Sequence, residues 1–324
     1  MKAMVCKAFG PVDSLVFEDF PEPKCGPGQV RVKVKAAGCN FPDILQVEGK
    51  YQFKPPFPFI PGMETAGDVL EVGEGVTGFK VGQRVITRGG SGAFAEQTVA
   101  GVNDVLPMPD NMPYEHGAAF PVTYGTTYHA LVQRGELKKG EVLLVHGASG
   151  GVGLNAVEMG KLMGATVIGT GGSDEKLKIA TQYGADHVIN YSREKIRDRV
   201  KELTGGKGAD VVYDPVGGDA MDESVRCINW NGRILVIGFA SGRIAEVPTN
   251  LCLLKGCSIV GVFWGQFTQK EPELNAENFR KLLGMYAEGK LKPHVSMKFP
   301  LADAKKALHA LADRKATGKV VLTV

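Results

Sequence analysis

The chain has 324 residues, 44% of them hydrophobic and 23% charged, with a formal net charge of +3. That length accommodates two domains with a core each, and the composition is that of an ordinary folded protein. The near-neutral charge, with no dense block of Lys and Arg, argues against a nucleic-acid face, and no apolar run approaches the ~18 residues a membrane-crossing helix needs.

The opening MKAMVCKAFG carries no apolar signal region. Residues 30–35, VRVKVK, alternate apolar and charged side chains as a half-buried strand does. Short apolar runs follow at residues 66–72 and 83–87, and PFPFIPG at residues 56–62 is too rich in proline for a helix. A largely antiparallel β domain is expected here. Near Tyr124 the pattern changes. Residues 126–134 read as a helix, 142–146 as a strand and 152–163 as a helix. Residues 165–170 then read as a strand and 174–183 as a helix, with further short strands at 187–190, 209–213 and 233–238. That βαβ rhythm predicts a doubly wound parallel sheet of Rossmann type. Beyond Trp264 a helix at 276–288, a strand at 295–300, another helix and a strand at 319–324 are predicted. The expected fold class is α/β, with a cofactor domain at 125–264 inserted into a catalytic domain built from 1–124 and 265–324. The six cysteines (Cys6, Cys25, Cys39, Cys227, Cys252 and Cys257) never form CxxC and are joined by no His at zinc spacing. Scattered thiols fit a reducing compartment, so a cytosolic location is expected.

Residues 146–153 read HGASGGVG between a strand and a helix. From Ala148 they match GxGxxG, with Ala148 in place of the first glycine. Gly150 lets backbone approach a pyrophosphate, and Gly153 lets helix and strand pack closely. Ser149, Gly150, Gly151, Val152 and Gly153 then form a cradle at a helix N-terminus, with free N–H groups and a favourable dipole. The end of the next strand selects the dinucleotide. An NAD site has Asp or Glu there for the ribose 2′-OH, whereas this strand ends at Gly171. Ser173, Lys176 and Tyr191 are available to a 2′-phosphate, so NADPH is expected over NADH. Lys176 also reads as a solvated helix face, and Asp174 as a helix N-cap rather than the missing acid.

Six segments together carry a resemblance over essentially the whole length: AAGCNFPD at 36–43, PGMETAG at 61–67, VGEGVTGFKVGQRV at 72–85, GASGGVG at 147–153, GADHVINY at 184–191 and ATGKVVL at 316–322. They resemble the medium-chain dehydrogenase/reductase superfamily, with its GroES-like catalytic domain, and within it the zinc-free quinone oxidoreductases related to zeta-crystallin. Aligned on AAGCNFPD, the catalytic zinc-ligand position of the zinc members falls on Asn40, and the histidine of their GHE motif on Met63. The place of their structural cysteines reads RGGSGAFAE at 88–96. The resemblance therefore implies a protein with no metal, in which NADPH passes a hydride to an acceptor that is already electrophilic, a quinone or an enone. It places Asn40, Asp43 and Tyr51 beside the substrate and Thr126 near the nicotinamide. Asn40 and Tyr51 are donors to a developing oxyanion, with Tyr51 either a proton donor or a loop-packing residue, and Asp43 orders the loop. Phe239, Phe263 and Trp264 stand at strand ends facing the expected nicotinamide, and read either as cleft walls or as core and interface residues. Two alternatives share the fold. One is a 2-enoyl thioester reductase, for which Lys50 and Lys54 flank Tyr51. The other is an NADPH-binding protein with a structural or RNA-binding role. A homodimer paired through the apolar strand at 257–262 is also expected.

Overall fold

The alternating segment becomes the heart of an 11-residue strand, Gln29–Cys39, in a computed structural model that describes residues 1–324. Val30, Val32 and Val34 turn inward and are buried, while Arg31, Lys33 and Lys35 keep contact with water. The chain divides into two compact units, Met1–Val122 with Phe279–Val324, and Thr123–Asn278.

In the first unit Gln29–Cys39 is central to a seven-stranded sheet. The order runs Val295–Pro300, Lys319–Thr323, Gln29–Cys39, Glu64–Val72, Arg84–Arg88, Val105–Pro107, with Gln97–Gly101 also paired to Gln29–Cys39. Every pair is antiparallel except Val295–Pro300 with Lys319–Thr323. Met4, Val34, Phe59, Phe94, Leu308 and Leu322 belong to its core. The first third is not all strand and turn. A helix, Phe41–Val47, starts immediately after the central strand, with Asn40 as its N-cap and a proline in its first turn. Asp43 at the third helical position accepts the Asn40 N–H through Oδ2 at 2.7 Å, one arm of a capping box.

The second unit holds a six-stranded, wholly parallel sheet. Its order is His187–Asn190, Thr166–Gly171, Val142–Val145, Ala209–Asp214, Ile228–Val236, Ser258–Gly261. The order reverses beside Val142–Val145, the strand that feeds the glycine turn, as in the doubly wound folds that bind dinucleotides. The segment expected as one helix at 126–134 is an α-helix, Pro121–Tyr128, continued by a wider π turn over His129–Arg134. The Gly135 N–H closes that turn on the Ala130 carbonyl at 2.7 Å. The second boundary between units falls after Asn278 rather than after Trp264. Three contacts hold the intervening residues to the second unit. The Trp264 indole lies 2.6 Å from where a Cβ on Gly125 would stand. Phe267 stacks on His129 with ring centroids 3.9 Å apart, and Gln133 donates to Asn278 at 3.0 Å. No helix is long and apolar enough to cross a membrane.

Candidate active site

In the first unit the polar residues gather where the central strand hands over to helix Phe41–Val47. Asn40 Nδ2 donates to Glu64 Oε1 at 2.8 Å, and its Oδ1 accepts from Lys319 Nζ at 2.6 Å. Lys319 Nζ also donates to Glu64 Oε1 at 2.7 Å and to the Cys39 carbonyl at 2.9 Å. Glu64 Oε2 accepts the Val122 N–H at 2.8 Å. Lys319 is 4% exposed and Glu64 1%, so this is a buried ion pair, tolerable because the ammonium donors and both carboxylate oxygens are satisfied. Gly38 leaves the space: a Cβ there would stand 2.1 Å from the Ala118 carbonyl oxygen and 2.6 Å from Glu64 Oε1. Sequence reasoning missed both Glu64 and Lys319. The available signal was a charged residue opening a short run of uncharged residues, Glu64 in ETAG and Lys319 in KVVL.

Asp43 is wholly buried. Its Oδ1 has no partner, and Oδ2 has the Asn40 N–H. Burial pushes its pKa up to about 7; the Asn40 N–H and Lys319 pull the other way and Glu64 adds to the rise. Tyr51 is half-buried. Burial, and then the charge of Asp43, raise its phenol above the usual range, which puts ring and carboxyl in one electrostatic neighbourhood. Gly49, with φ of +70°, ends the helix in the left-handed conformation, and the Phe9 ring fills the place of its missing Cβ. The Tyr51 N–H then folds back on the Leu45 carbonyl at 3.1 Å. Lys50 pairs with Glu48 at 2.9 Å and Lys54 lies over the Phe9 ring.

In the second unit Val142–Val145 delivers His146 and the glycine turn. Gly147 has φ of +58°. Ala148, buried, replaces the usual first glycine without strain because Gly169 on the next strand leaves room for its methyl: a Cβ there would be 2.9 Å from it. A Cβ on Gly153 would stand 2.2 Å from the Gly147 carbonyl oxygen, so only glycine lets the 12-residue helix Gly151–Leu162 press on the turn. Leu154 is the first residue to donate along that helix, to Gly150. The amides of Gly151, Val152 and Gly153 precede it, beside Ser149, at the helix N-terminus, where backbone N–H groups lack intrahelical acceptors. Sequence reasoning missed the brace beneath them. His146 pairs with Thr170 Oγ1 at 3.0 Å and Ser224 Oγ at 2.7 Å, and burial lowers the pKa of its imidazole, opposed by Asp214.

The neighbouring strand ends at Gly171, as expected. A Cβ on Gly171 would lie 2.9 Å from Leu177 Cδ2, and one on Gly172 2.9 Å from the Tyr191 oxygen. Asp174 is not the N-cap. Ser173 is, its Oγ accepting the Lys176 N–H at 3.4 Å. Asp174 opens the helix and accepts from Asn190 at 2.9 Å and Arg193 at 2.6 Å, so its charge is engaged. Ser173 and Tyr191 thus border the Gly171–Gly172 corner, Lys176 lies in the first turn of the helix that follows, and Arg193, paired with Asp174, is a further basic residue nearby that was not foreseen. Phe239 borders Gly217 and is 42% exposed, and Phe263 is 50% exposed. Trp264 is half-buried; its ring covers Gly125, next to Thr126, and its Nε1 donates to Asn275 at 3.3 Å. Thr126 is half-buried, while Thr127 turns inward to the Tyr213 hydroxyl at 3.0 Å.

A zinc ion needs Cys, His or carboxylate ligands converging on one point. No three His, Cys, Asp or Glu side chains do so. Asn40 is committed to Glu64 and Lys319, and burial drives the Cys39 thiol well above its ordinary pKa, away from the thiolate a metal requires. The donor set does not fit zinc.

A doubly wound sheet with a glycine turn at its switch point, in one chain with a β domain of this strand order, defines the medium-chain oxidoreductase architecture. Residues 151–281 match the family described as zinc-binding dehydrogenase, and residues 26–110 the alcohol dehydrogenase GroES-like domain. The chain is 42% identical to quinone oxidoreductase-like protein 2 homolog of Nematostella vectensis, over 99% of this chain and 88% of that one. It is 38% identical to quinone oxidoreductase of Pseudomonas aeruginosa, over 97% of each. Among solved structures, Escherichia coli quinone oxidoreductase complexed with NADPH superposes with a TM-score of 0.94 at 31% identity, covering 100% of both chains. The chain belongs to the quinone oxidoreductase family of the medium-chain dehydrogenase/reductase superfamily.

Proposed function

We propose that this chain uses NADPH to reduce quinones and other conjugated carbonyl acceptors, without a metal. The observation that carries the reading is the Gly171–Gly172 corner, where Leu177 crowds the position of an acidic side chain, the Ser173 hydroxyl and the Tyr191 phenol stand nearby, and Lys176 lies in the first turn of the following helix. Ser173, Lys176 and Tyr191 hold the 2′-phosphate there, and the amides of Gly151, Val152 and Gly153 hold the pyrophosphate. Bound in this way, NADPH supplies a hydride. Thr126, Phe239 and Phe263 shape the nicotinamide side, and Asn40 and Tyr51 serve the acceptor. Asn40 keeps one amide N–H beyond its bond to Glu64. That N–H and the Tyr51 hydroxyl stabilise negative charge growing on the acceptor oxygen. Asp43 orders the helix start and, when protonated, adds no opposing charge.

A thioester mouth built on Lys50 and Lys54 has less support, since one is paired with Glu48 and the other with the Phe9 ring. The near-neutral charge supports small molecules over nucleic acid as partners. Six free cysteines support a reducing, cytosolic location. No membrane partner and a homodimeric state complete the reading.

Titrating NADPH and NADH by fluorescence tests it. NADPH is expected to bind far more tightly, and Lys176→Ala to cost about 1.5–3 kcal/mol toward NADPH alone; equal affinities overturn the assignment. With 1,2- and 1,4-quinones set against crotonyl-CoA, quinone turnover is expected to dominate and to survive a chelator. Stoichiometric zinc by elemental analysis overturns the metal-free part.

A further inference from the structure

Asn40 stands where strand Gln29–Cys39 meets helix Phe41–Val47, and it is 7% exposed. Its backbone N–H donates to Asp43 Oδ2 at 2.7 Å, and its carbonyl accepts the Asp43 N–H at 3.1 Å. The backbone is thereby fixed from the helix side. The side-chain amide lies between two groups of opposite hydrogen-bonding character. Lys319 Nζ, an ammonium with donors only, faces Oδ1 at 2.6 Å, and the carboxylate oxygen Glu64 Oε1 faces Nδ2 at 2.8 Å. Turning the amide over would set Nδ2 against the ammonium and Oδ1 against the carboxylate. Neither contact would have a proton to share correctly, so the pair permits one orientation. Lys319 is itself saturated, because its other two donors go to Glu64 Oε1 at 2.7 Å and the Cys39 carbonyl at 2.9 Å. Glu64 Oε2 is held by the Val122 N–H at 2.8 Å. Neither partner of the ion pair is free to swing away. One polar hydrogen of Asn40 is left over, the second on Nδ2.

We propose that Lys319, together with Glu64, is a positioning residue for acceptor reduction: the ion pair selects one orientation of the Asn40 amide and so aims its remaining N–H at the acceptor oxygen. The inference rests on the reading of Asn40 as a donor to the acceptor, and adds what directs that donor. A donor stabilises developing charge best when it need not reorganise as the charge appears. With the amide reversed, an oxygen lone pair would stand in place of the N–H and oppose the same charge. The last strand of the chain, Lys319–Thr323, thus reaches the site through one side chain. A pair that only tied this strand to the sheet would alter stability and leave the amide indifferent to it.

The test combines Lys319→Met with Glu64→Gln, which removes both charges together and leaves no lone ion buried. The new amide beside Asn40 offers it either an oxygen or an N–H, so the two orientations become equivalent. The first readout is the proton–nitrogen correlation spectrum of the full protein without cofactor. The two Nδ2 protons of Asn40, assigned by their loss in Asn40→Ala, are expected to be widely separated in the wild type, because one is bonded to a carboxylate. In the paired variant the separation is expected to shrink. An unseparated wild-type pair overturns the proposal even where the paired variant does not fold, and so does a separation that the paired variant keeps. The second readout is kcat with the quinone or enone that the wild type reduces fastest. Asn40→Ala and the paired variant are each expected to lower it at least about tenfold, with NADPH affinity unchanged. Asn40→Ala added to the paired variant is then expected to cost little more, since an unaimed amide has already lost its role. Losses that multiply in full, or a paired variant with the wild-type kcat, overturn the proposal. A wild type that turns over no quinone or enone with NADPH overturns the reductase reading instead, and the amide signals still decide whether Lys319 directs Asn40.

Discussion

Asp43 pairs a buried carboxyl with one unpartnered oxygen, and its pKa of about 7 has a thermodynamic consequence. The folded protein holds this proton more tightly than the unfolded chain, whose value is near 3.8. The stability it contributes is fully present below about pH 3.8 and is lost as the pH rises through about 7. Asp43→Asn keeps an oxygen for the Asn40 N–H and cannot ionise. Relative to wild type, the variant is expected to gain stability as pH rises from about 5 to 8, by up to about 1.4 kcal/mol per pH unit. Thermal unfolding of both proteins across that range checks it; a constant difference sinks the assignment. Tyr51 lies in the same neighbourhood. A quinone is strongly oxidising, and water protonates its reduced oxygens. An enone or enoyl thioester needs its enolate stabilised and a proton placed at carbon. Tyr51→Phe is therefore expected to slow enone or enoyl-thioester reduction at least about tenfold while leaving quinone reduction within a few-fold. The ratio of the two rates is the measurement, and an unmoved ratio makes Tyr51 a packing residue.

At the level of elements, the junction of strand Thr166–Gly171 with helix Asp174–Gln182 restricts what evolution or engineering can place there. Gly171→Asp imitates an NAD site, but the new Cβ meets Leu177, a 2% exposed core residue. The expected result is destabilisation by about 1–3 kcal/mol. The Leu177→Ala partner substitution is expected to recover room for the carboxylate and shift preference toward NADH. Urea unfolding and cofactor titration of the single and double variants check both. Strands and the glycine turn were legible because their period and punctuation are local: VRVKVK alternates, and HGASGGVG follows VLLV directly. Helix Phe41–Val47 was harder to see, seven residues long with a proline in its first turn. Its trace was the Asn40-x-x-Asp43 spacing of a capping box. The Lys319–Glu64 pair was out of reach, because 255 residues separate its members and no spacing rule spans them. Trp264 sits at the end of an apolar run, which is why it reads as a cleft wall. Only the packing on Gly125 shows its direction.

For the whole molecule, the second unit leaves one side of its edge strand Ser258–Gly261 unpaired within the chain. Ile259 is 41% exposed, and Trp230, Leu253 and Leu254 are exposed in the neighbouring segments. Open strand edges with apolar surroundings invite association, and a two-fold partner covers them in a closed way. Light scattering at micromolar concentration is expected to give twice the mass of the chain; a monomer there refutes the pairing.

The first unit is encoded at both ends of the chain, while Thr123–Asn278 runs uninterrupted. A ribosome adding about 5–20 residues per second takes on the order of tens of seconds to travel the 255 residues from Glu64 to Lys319. During that interval the Glu64 carboxylate lacks its counter-ion. The stretch Ala36–Cys39 also lacks the neighbour that Val320–Thr323 supplies. All of Thr123–Asn278 is synthesised before the last strands of the first unit, so the first unit cannot complete its sheet before the second has been made. Until Lys319–Thr323 is made, the first unit keeps a strand edge open and a charge waiting to be buried.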